Sequence, residues 1–396
     1  MLDERFKALK ETLSPDLWPE IERREPRPAG RQLPWARVGT VVVASILAIT
    51  GMAFAVRAFL GQPMEEALPP RELPIDPRVT ATVEVAPQAE LLAVATGEGS
   101  VWVLAHFPDE PPHIRLEKID PTTNEVVAEM AIGATGEDLA VGFGSVWVST
   151  FRRNEGPLLL RVDASTNEIV AEIPGAGGRP LAAHGSVWAV GTAENRPPGT
   201  VVRVDPATSQ VVAEIPVPIE PPPFDIVAGA DSVWVLGFDP NGRPDGLNIA
   251  RIDPATDTVV ESIDLDPSGM WMVAGGGYVW IPTWLHEFEE VGTGSGDRPV
   301  VARVDERTGA VEPEPIEIEH FRPFAFGEGG VWFINWPQEE SGGICRLNAT
   351  TLEADVCVEP PSLAPVHDDW AALDPETSSI WVVGDDGTVA RIDLRP

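Results

Sequence analysis

The sequence predicts an all-β fold, a seven-bladed β-propeller with four-stranded blades, and three observations support this prediction. A turn rich in Gly or another small residue, followed by an apolar residue and Trp, recurs along the chain. A base, an apolar residue and an Asp or Asn follow each Trp, as in Arg161-Val-Asp163. The last repeat stops one strand short, and a matching strand stands before the first repeat. The seven marker tryptophans are Trp102, Trp147, Trp188, Trp234, Trp280, Trp332 and Trp381.

Each repeat contains four short β segments. In the second repeat these are DLAVG (138–142), SVWVST (145–150), LLLRVD (158–163) and EIVAEI (168–173). The connections are rich in Gly, Pro and Asp, and no helical period interrupts them. Four strands that return every 40 to 50 residues are typical of a propeller blade.

The two ends of the repeat region predict how the ring closes. After Trp381 the chain supplies only one more strand, TVARIDL (388–394). The missing outer strand stands at 78–86, where RVTATVEVA has the pattern of the fourth strand VVAEIPV (211–217). Pairing of the first strand with the last leaves no open sheet edge between the ends of the array. The sequence therefore predicts a propeller over residues 77–396, closed by three C-terminal strands and one N-terminal strand.

The segment before the propeller predicts a membrane anchor. Residues 38–56, VGTVVVASILAITGMAFAV, carry no charge and have about the length needed to cross a bilayer. Several arginines precede this segment, so the positive-inside rule places residues 1–37 in the cytoplasm. We predict a transmembrane helix over 38–58, a Pro-rich linker over 59–76 and an extracytoplasmic propeller, in a single-pass protein of the cell membrane. The alternative is a cleaved secretory signal ending near Ala55, but a 37-residue leading segment favours the uncleaved anchor.

Charge excludes one class of partner. The chain has a formal net charge of −34, and the acidity lies beyond the first 60 residues. Such a surface repels phosphate backbones, so the sequence argues against a nucleic-acid partner.

The repeats resemble those of YVTN-type seven-bladed propellers, a family that is similar to the virginiamycin B lyase-like propellers. The resemblance rests on GSVWV, on the turn R-[VI]-D-P-x-T and on VVAEIPV, and it covers residues 77–396. Propellers of this kind include enzymes, cofactor holders and binding platforms, so the resemblance implies a fold and leaves the function open. The stretch DLWPEIERR before the span resembles cytoplasmic tails of actinobacterial membrane proteins related to anti-sigma regulators, which implies a cytoplasmic partner for residues 1–37.

The repeated residues are predicted to be structural. Seven tryptophans at one position of the repeat are expected to pack between sheets, because both faces of a blade lie against neighbours. The base and acid that follow each Trp are expected to form ion pairs within or between blades and to cap the Asp-Pro turns.

Function is expected where the repeat is broken. In a propeller, the second-to-third-strand loops and the inter-blade loops emerge on one face, and here they are the long, variable ones. The residues that open the innermost strands at this face also vary, and together they suit a small polar ligand, a sugar or a cation. A solvated, salt-bridged rim is the alternative. These residues are Glu90, Asp138, Arg179, Asp225, Trp271, Arg322 and Asp369.

Further candidates lie in the loops of the same face. Trp284, Trp336 and Trp370 could stack a carbohydrate or anchor a partner, with simple loop packing as the alternative. His286 stands beside three glutamates, and His367 precedes Asp368 and Asp369, but no histidine pair has a ligand spacing. The sequence therefore predicts no metal site and no cofactor, and it identifies no catalytic residue.

The two cysteines, Cys345 and Cys357, flank the turn NATTLEA. A hairpin centred on residue 351 would place them opposite each other, so we predict a disulfide, with reduced thiols as the alternative.

Taken together, these patterns favour a membrane-tethered extracytoplasmic module, with a sensory role open to it, that binds an unidentified envelope ligand or protein. The alternative is a lyase-like or other propeller enzyme with its site on the face of long loops. A structural protein of the cell envelope is a third interpretation.

Overall fold

The computed structural model describes residues 76–395, apart from residues 112, 134, 137, 153–155, 192–198, 240–245, 266–270, 286–297, 313–315, 319–320, 336–342, 361–370 and 385. The predicted cytoplasmic tail, transmembrane helix and nearly all of the linker lie outside the described residues, so these assignments stay predictions. Within the described part of the chain, no helix has the length and apolarity needed to cross a membrane.

The described residues form 28 strands. They are Val79–Glu84 (β1), Glu90–Gly97 (β2), Ser100–His106 (β3), Ile114–Asp120 (β4), Glu125–Gly133 (β5), Asp138–Gly142 (β6), Ser145–Arg152 (β7), Gly156–Asp163 (β8), Glu168–Pro174 (β9), Ala176–Ala183 (β10), Ser186–Gly191 (β11), Thr200–Asp205 (β12), Gln210–Pro216 (β13) and Glu220–Ala228 (β14). The second half comprises Val233–Phe238 (β15), Leu247–Asp253 (β16), Thr258–Leu265 (β17), Val273–Gly275 (β18), Tyr278–Leu285 (β19), Arg298–Asp305 (β20), Ile316–Glu317 (β21), Phe321–Gly327 (β22), Gly330–Asn335 (β23), Gly343–Asn348 (β24), Ala354–Val358 (β25), Ala371–Asp374 (β26), Ser379–Val383 (β27) and Thr388–Asp393 (β28).

These strands make seven antiparallel, four-stranded sheets, each one blade of a propeller. Blades 1 to 6 take four consecutive strands each, from the innermost strand outward, beginning with β2–β5. Blade 7 has the order β26-β27-β28-β1, with Val83 opposite Val389. The predicted seven blades and the closure by an N-terminal strand are therefore confirmed.

The hydrophobic core lies between neighbouring blades. All seven marker tryptophans are at most 1% exposed, which confirms that they are packing residues. In four blades the indole Nε1 donates to the backbone carbonyl five residues earlier, as Trp147 does to Gly142 at 3.2 Å. This bond satisfies the one polar atom of a buried Trp, which explains how the side chain occupies an otherwise apolar layer.

A base stacks on every marker Trp. The cation lies 4.9–5.7 Å from the ring centroid in all seven blades, from Lys118 over Trp102 to Arg391 over Trp381. In most blades the same base also reaches the third-to-fourth-strand turn of the next blade. Arg203, for example, donates to the carbonyl of Pro254 and to Asp257. Arg391 does the same across the ring closure, with Pro121 as its acceptor.

The acid of each triplet shapes the turn that follows it. The Asp205 carboxylate accepts a hydrogen bond from the backbone N–H of Ala207 at 2.9 Å, and the fourth turn residue, Ser209, adopts a φ of 57°. Bonds from backbone N–H groups hold the pKa of Asp205 below its usual range. The predicted turn caps are thus confirmed. The ion-pair prediction is confirmed only in part: Arg391 pairs with Asp393 of its own triplet, whereas Arg203 pairs with Asp257, an acid of the next blade outside the triplet.

Cys345 and Cys357 face each other on β24 and β25 of blade 6. Their Sγ atoms lie 2.02 Å apart, which confirms the predicted disulfide.

Candidate functional site: the mouth of the central channel

The antiparallel order of the strands gives the propeller two different faces. The second-to-third-strand connections and the inter-blade connections emerge on one face, which we call the loop face. The turns between first and second strands and between third and fourth strands emerge on the opposite turn face. Since each innermost strand begins at the loop face, the first residues of these strands surround the mouth of the central channel.

Three of the predicted mouth residues come together in a chain of ion pairs. Arg179 in β10 contacts Asp225 of the next blade, with 3.0 Å between Nη1 and Oδ1. Its Nε lies 3.8 Å from an Asp138 carboxylate oxygen of the preceding blade. One guanidinium group therefore links blades 2, 3 and 4 at the loop face.

The two carboxylates of this chain are buried and held by backbone donors. Asp225 is 2% exposed and accepts hydrogen bonds from the N–H of Ile226 and from that of Met272, in blade 5. Asp138 is 8% exposed and accepts from the N–H of Leu139 at 2.6 Å. Charge-assisted bonds of this kind fix the positions of both carboxylates, so the geometry of this part of the mouth is preorganised.

On another part of the mouth, an arginine lies on an aromatic ring. The Arg322 guanidinium is 4.1 Å from the centroid of the Trp271 ring, a cation–π contact between blades 5 and 6. Both side chains are half-buried. This pair offers an indole and a guanidinium group at one position, a combination that suits a planar or polyhydroxylated ligand.

Below the mouth lies a cavity of about 370 Å³. Most of its lining residues are apolar, and Arg179 is the only charged lining residue among the described ones. This volume falls within the range of small-molecule sites. Members of the apolar wall include Leu139, Leu181, Ile226, Met272, Phe324 and Leu373.

Of the remaining predicted residues, the structure describes Glu90 and the backbone of Trp284. Glu90 opens β2 and lies 3.5 Å from His106 Nδ1 at the end of β3. The backbone of Trp284 lies in β19, opposite Pro299. His286, Trp336, Trp370 and Asp369 lie outside the described residues, as does His367. Among the residues that the structure does describe, no three His, Cys, Asp or Glu side chains are placed to hold a metal ion.

Two exposed aromatic residues on the loop face were missed in the sequence. Phe151 is the penultimate residue of β7 and Phe238 is the last residue of β15, and they are 41% and 46% exposed. The Oγ1 of Thr135, in the inter-blade connection, bonds both the N–H and the carbonyl of Phe151, which fixes this strand end. Both residues stand four positions after a marker Trp, as Trp284 and Trp336 do. Counting from the marker Trp would have found all four.

The fold and the mouth define a seven-bladed β-propeller with a polar and aromatic channel entrance. Comparisons with solved structures agree with this class. Hydrazine synthase from Kuenenia stuttgartiensis aligns with 80% of this chain and 97% of its own, at 12% identity and a TM-score of 0.58. The β-propeller domain of Cps50 (Swd1) from Myceliophteria thermophila aligns with 80% of this chain and 99% of its own, at 14% identity and a TM-score of 0.54.

At these identities the comparisons show the fold alone. No protein-family model matches the chain, and no curated protein matches it in sequence. The resemblance to YVTN-type propellers therefore stays a prediction.

Proposed function

We propose that this protein is a binding module that recognises its ligand or partner at the loop face, with the channel mouth as the centre of the site. Residues 38–58 would anchor the module in the membrane, with the propeller outside the cytoplasm. We propose further that it belongs to the YVTN type of propeller, because its repeat residues resemble those of that type. A sensory role would require residues 1–37 to contact a second protein.

The observation that supports this proposal is the contrast between the channel mouth and the rest of the repeat. The marker Trp and its base recur in all seven blades, whereas the described mouth residues vary around the ring and comprise one Glu, two Asp, two Arg and one Trp. Asp138, Arg179 and Asp225 are held rigidly above a cavity of about 370 Å³. Preorganised polar groups over an apolar cavity are what a small-molecule site requires.

The experiment is a binding screen on the full chain reconstituted in lipid nanodiscs. The probes are a panel of neutral mono- and disaccharides and a panel of small organic cations, each measured by thermal shift and then by calorimetry. We expect at least one probe to bind and to lose at least tenfold in affinity in Trp271→Ala, because this change removes an aromatic surface at the mouth.

Phe143→Ala is the matched control, because Phe143 is 40% exposed but lies in a first-to-second-strand turn on the turn face. Equal affinity in the wild type and both variants would show that the mouth is not the site. Failure of every probe to bind would count against a small-molecule site of this kind.

The membrane tether has its own test. Fusion of a reporter that is active only outside the cytoplasm to residue 396 should give signal, and the same reporter at residue 1 should not. The reverse pattern would overturn the proposed orientation.

A further inference from the structure

One position of the repeat is apolar in six blades and carries a carboxylate in the remaining one. This position immediately precedes the base that stacks on the marker Trp. In blades 2 to 7 its occupants are Leu160, Val202, Ala250, Ala302, Cys345 and Ala390. In blade 1 the occupant is Glu117, which is 3% exposed. Buried carboxylates are rare in protein interiors, so this departure from the repeat requires an explanation.

Glu117 lies in β4, on the face of blade 1 that packs against blade 7. Its register partner on β3 is Val103, and Ile119 follows two positions later on the same face. Both belong to the apolar cluster that joins blade 1 to blade 7 and includes Val83 of β1 and Val389 of β28. The Glu117 carboxyl is therefore placed in the interface where the first and last strands close the ring.

The charged groups around Glu117 do not neutralise it. Its register partner on β5 is another carboxylate, Glu129. Arg115, two residues away on the same strand, contacts Glu129 at 3.0 Å and Glu110 at 3.2 Å, and it stacks on Phe107.

Among the described residues of blade 7, the side that faces Glu117 presents the apolar members of this cluster and one base. That base is Arg391, which bonds to the turn of blade 1 at Pro121 and pairs with Asp393 at 2.8 Å. The facing residues of β1, β27 and β28 that pack in the cluster are Val83, Trp381, Val383 and Val389. Burial is the main cause that raises the pKa of Glu117 from 4.5 to about 7. The charge of Glu129 adds to this rise, and the charge of Arg115 lowers the pKa by a smaller amount.

We propose that Glu117 makes the closure of the ring sensitive to pH. With the carboxyl protonated, the interface between blades 1 and 7 is neutral and closed. Ionisation near neutral pH places an uncompensated charge in this interface and favours local opening of the seam at β1. Glu117 thus acts as a switch on the interface between blade 1 and the pair of strands, β1 and β28, that closes the ring.

The direction of the effect follows from proton linkage. The folded protein binds the Glu117 proton more tightly than the unfolded chain does, so the stabilisation is fully present below pH 4.5 and is lost as the pH rises through about 7. The shift corresponds to a loss of roughly two orders of magnitude in the folding equilibrium constant across this range.

The test compares the full chain in nanodiscs with the Glu117→Gln and Glu117→Leu variants between pH 5 and pH 9. Glu117→Leu installs the residue that blade 2 carries at the same position. We expect the unfolding temperature of the wild type to fall, relative to both variants, as the pH rises from 5.5 to 8.5. Hydrogen exchange at the amides of β1 is compared between wild type and Glu117→Gln at each pH, and the excess of the wild-type rate over the variant rate should be at least tenfold larger at pH 8.5 than at pH 5.5.

Glu129→Gln is the matched control, because it removes the neighbouring like charge and keeps Glu117. The pH step should remain in this variant and move to lower pH. A step that disappears would assign the titration to Glu129 and overturn the proposal.

 

The Glu129 charge raises the pKa of Glu117, so its removal lowers that pKa and Glu117 ionises earlier. A step that stays in place or moves upward in Glu129→Gln, or wild-type and Glu117→Gln profiles that run parallel, would overturn the proposal. If Glu117→Gln does not fold, Glu117→Leu carries the same comparison.

Discussion

The turn face and the loop face of this propeller are built by different rules. On the turn face, the same contacts return from blade to blade: a base on the marker Trp, a bond to the next blade and a capped turn. On the loop face, the mouth residues differ between blades, and aromatic side chains such as Phe151 and Phe238 stand exposed. The difference indicates that the turn face maintains the ring, whereas the loop face is available for recognition.

The strongest test of this comparison is removal of a marker Trp. Trp147→Ala should lower the free energy of unfolding by about 3–5 kcal/mol, because the residue is fully buried between blades. Phe143→Ala, an exposed residue four positions earlier, should change it by less than about 0.5 kcal/mol. Urea unfolding of both variants measures the difference. A loss below about 1 kcal/mol in Trp147→Ala would contradict the structural role of the repeat.

The mouth itself provides the next test, because part of it is also structural. Arg179→Gln should destabilise the protein by about 2–4 kcal/mol, since it leaves the buried Asp225 carboxylate without its guanidinium partner. The double variant Arg179→Gln/Asp225→Asn should recover part of this loss. Chemical unfolding of the single and double variants gives the coupling energy. Additive losses would show that the pair does not act as a unit.

Blade 6 shows how the turn-face pattern changes next to the ring closure. Arg346 forms a two-bond pair with Asp355 of its own blade, because blade 7 takes its fourth strand from β1 and has no third-to-fourth turn to contact. The disulfide lies in the same pair of strands.

Removal of this disulfide should have a smaller effect than the two changes above. The bond closes a short loop, with a sequence separation of 12, so Cys345→Ala/Cys357→Ala should cost about 2–3 kcal/mol. Thermal unfolding with and without reductant measures the same effect in the wild type. An unchanged unfolding temperature under reduction, with both thiols then alkylated, would show that the bond contributes nothing to stability.

Much of the fold was predictable from sequence, because the repeated Trp and the base–acid triplet report buried and turn positions directly. The blade count and the closing strand follow from the spacing of these repeated residues. The disulfide follows from the predicted hairpin between Cys345 and Cys357. The site was less predictable, since a salt-bridged rim and a ligand site use the same residue types. Only three-dimensional placement shows that Arg179 lies between Asp138 and Asp225. Glu117 is not revealed by the alternating pattern of its own strand, because it departs from the repeat only when the same position is compared across blades.

The smallest expected effect concerns a single turn of the turn face. The Asp163 carboxylate accepts hydrogen bonds from the Ser165 hydroxyl and from the N–H groups of Ser165 and Thr166, and these bonds lower its pKa to about 2. Stability from this carboxylate is present above pH 3.8 and is lost as the pH falls through about 2. Asp163→Asn should therefore lower the unfolding temperature slightly at pH 7, by less than the disulfide variant does. The difference from wild type should shrink as the pH approaches 2. A difference that is constant with pH would show that the turn depends on side-chain shape and not on the charge.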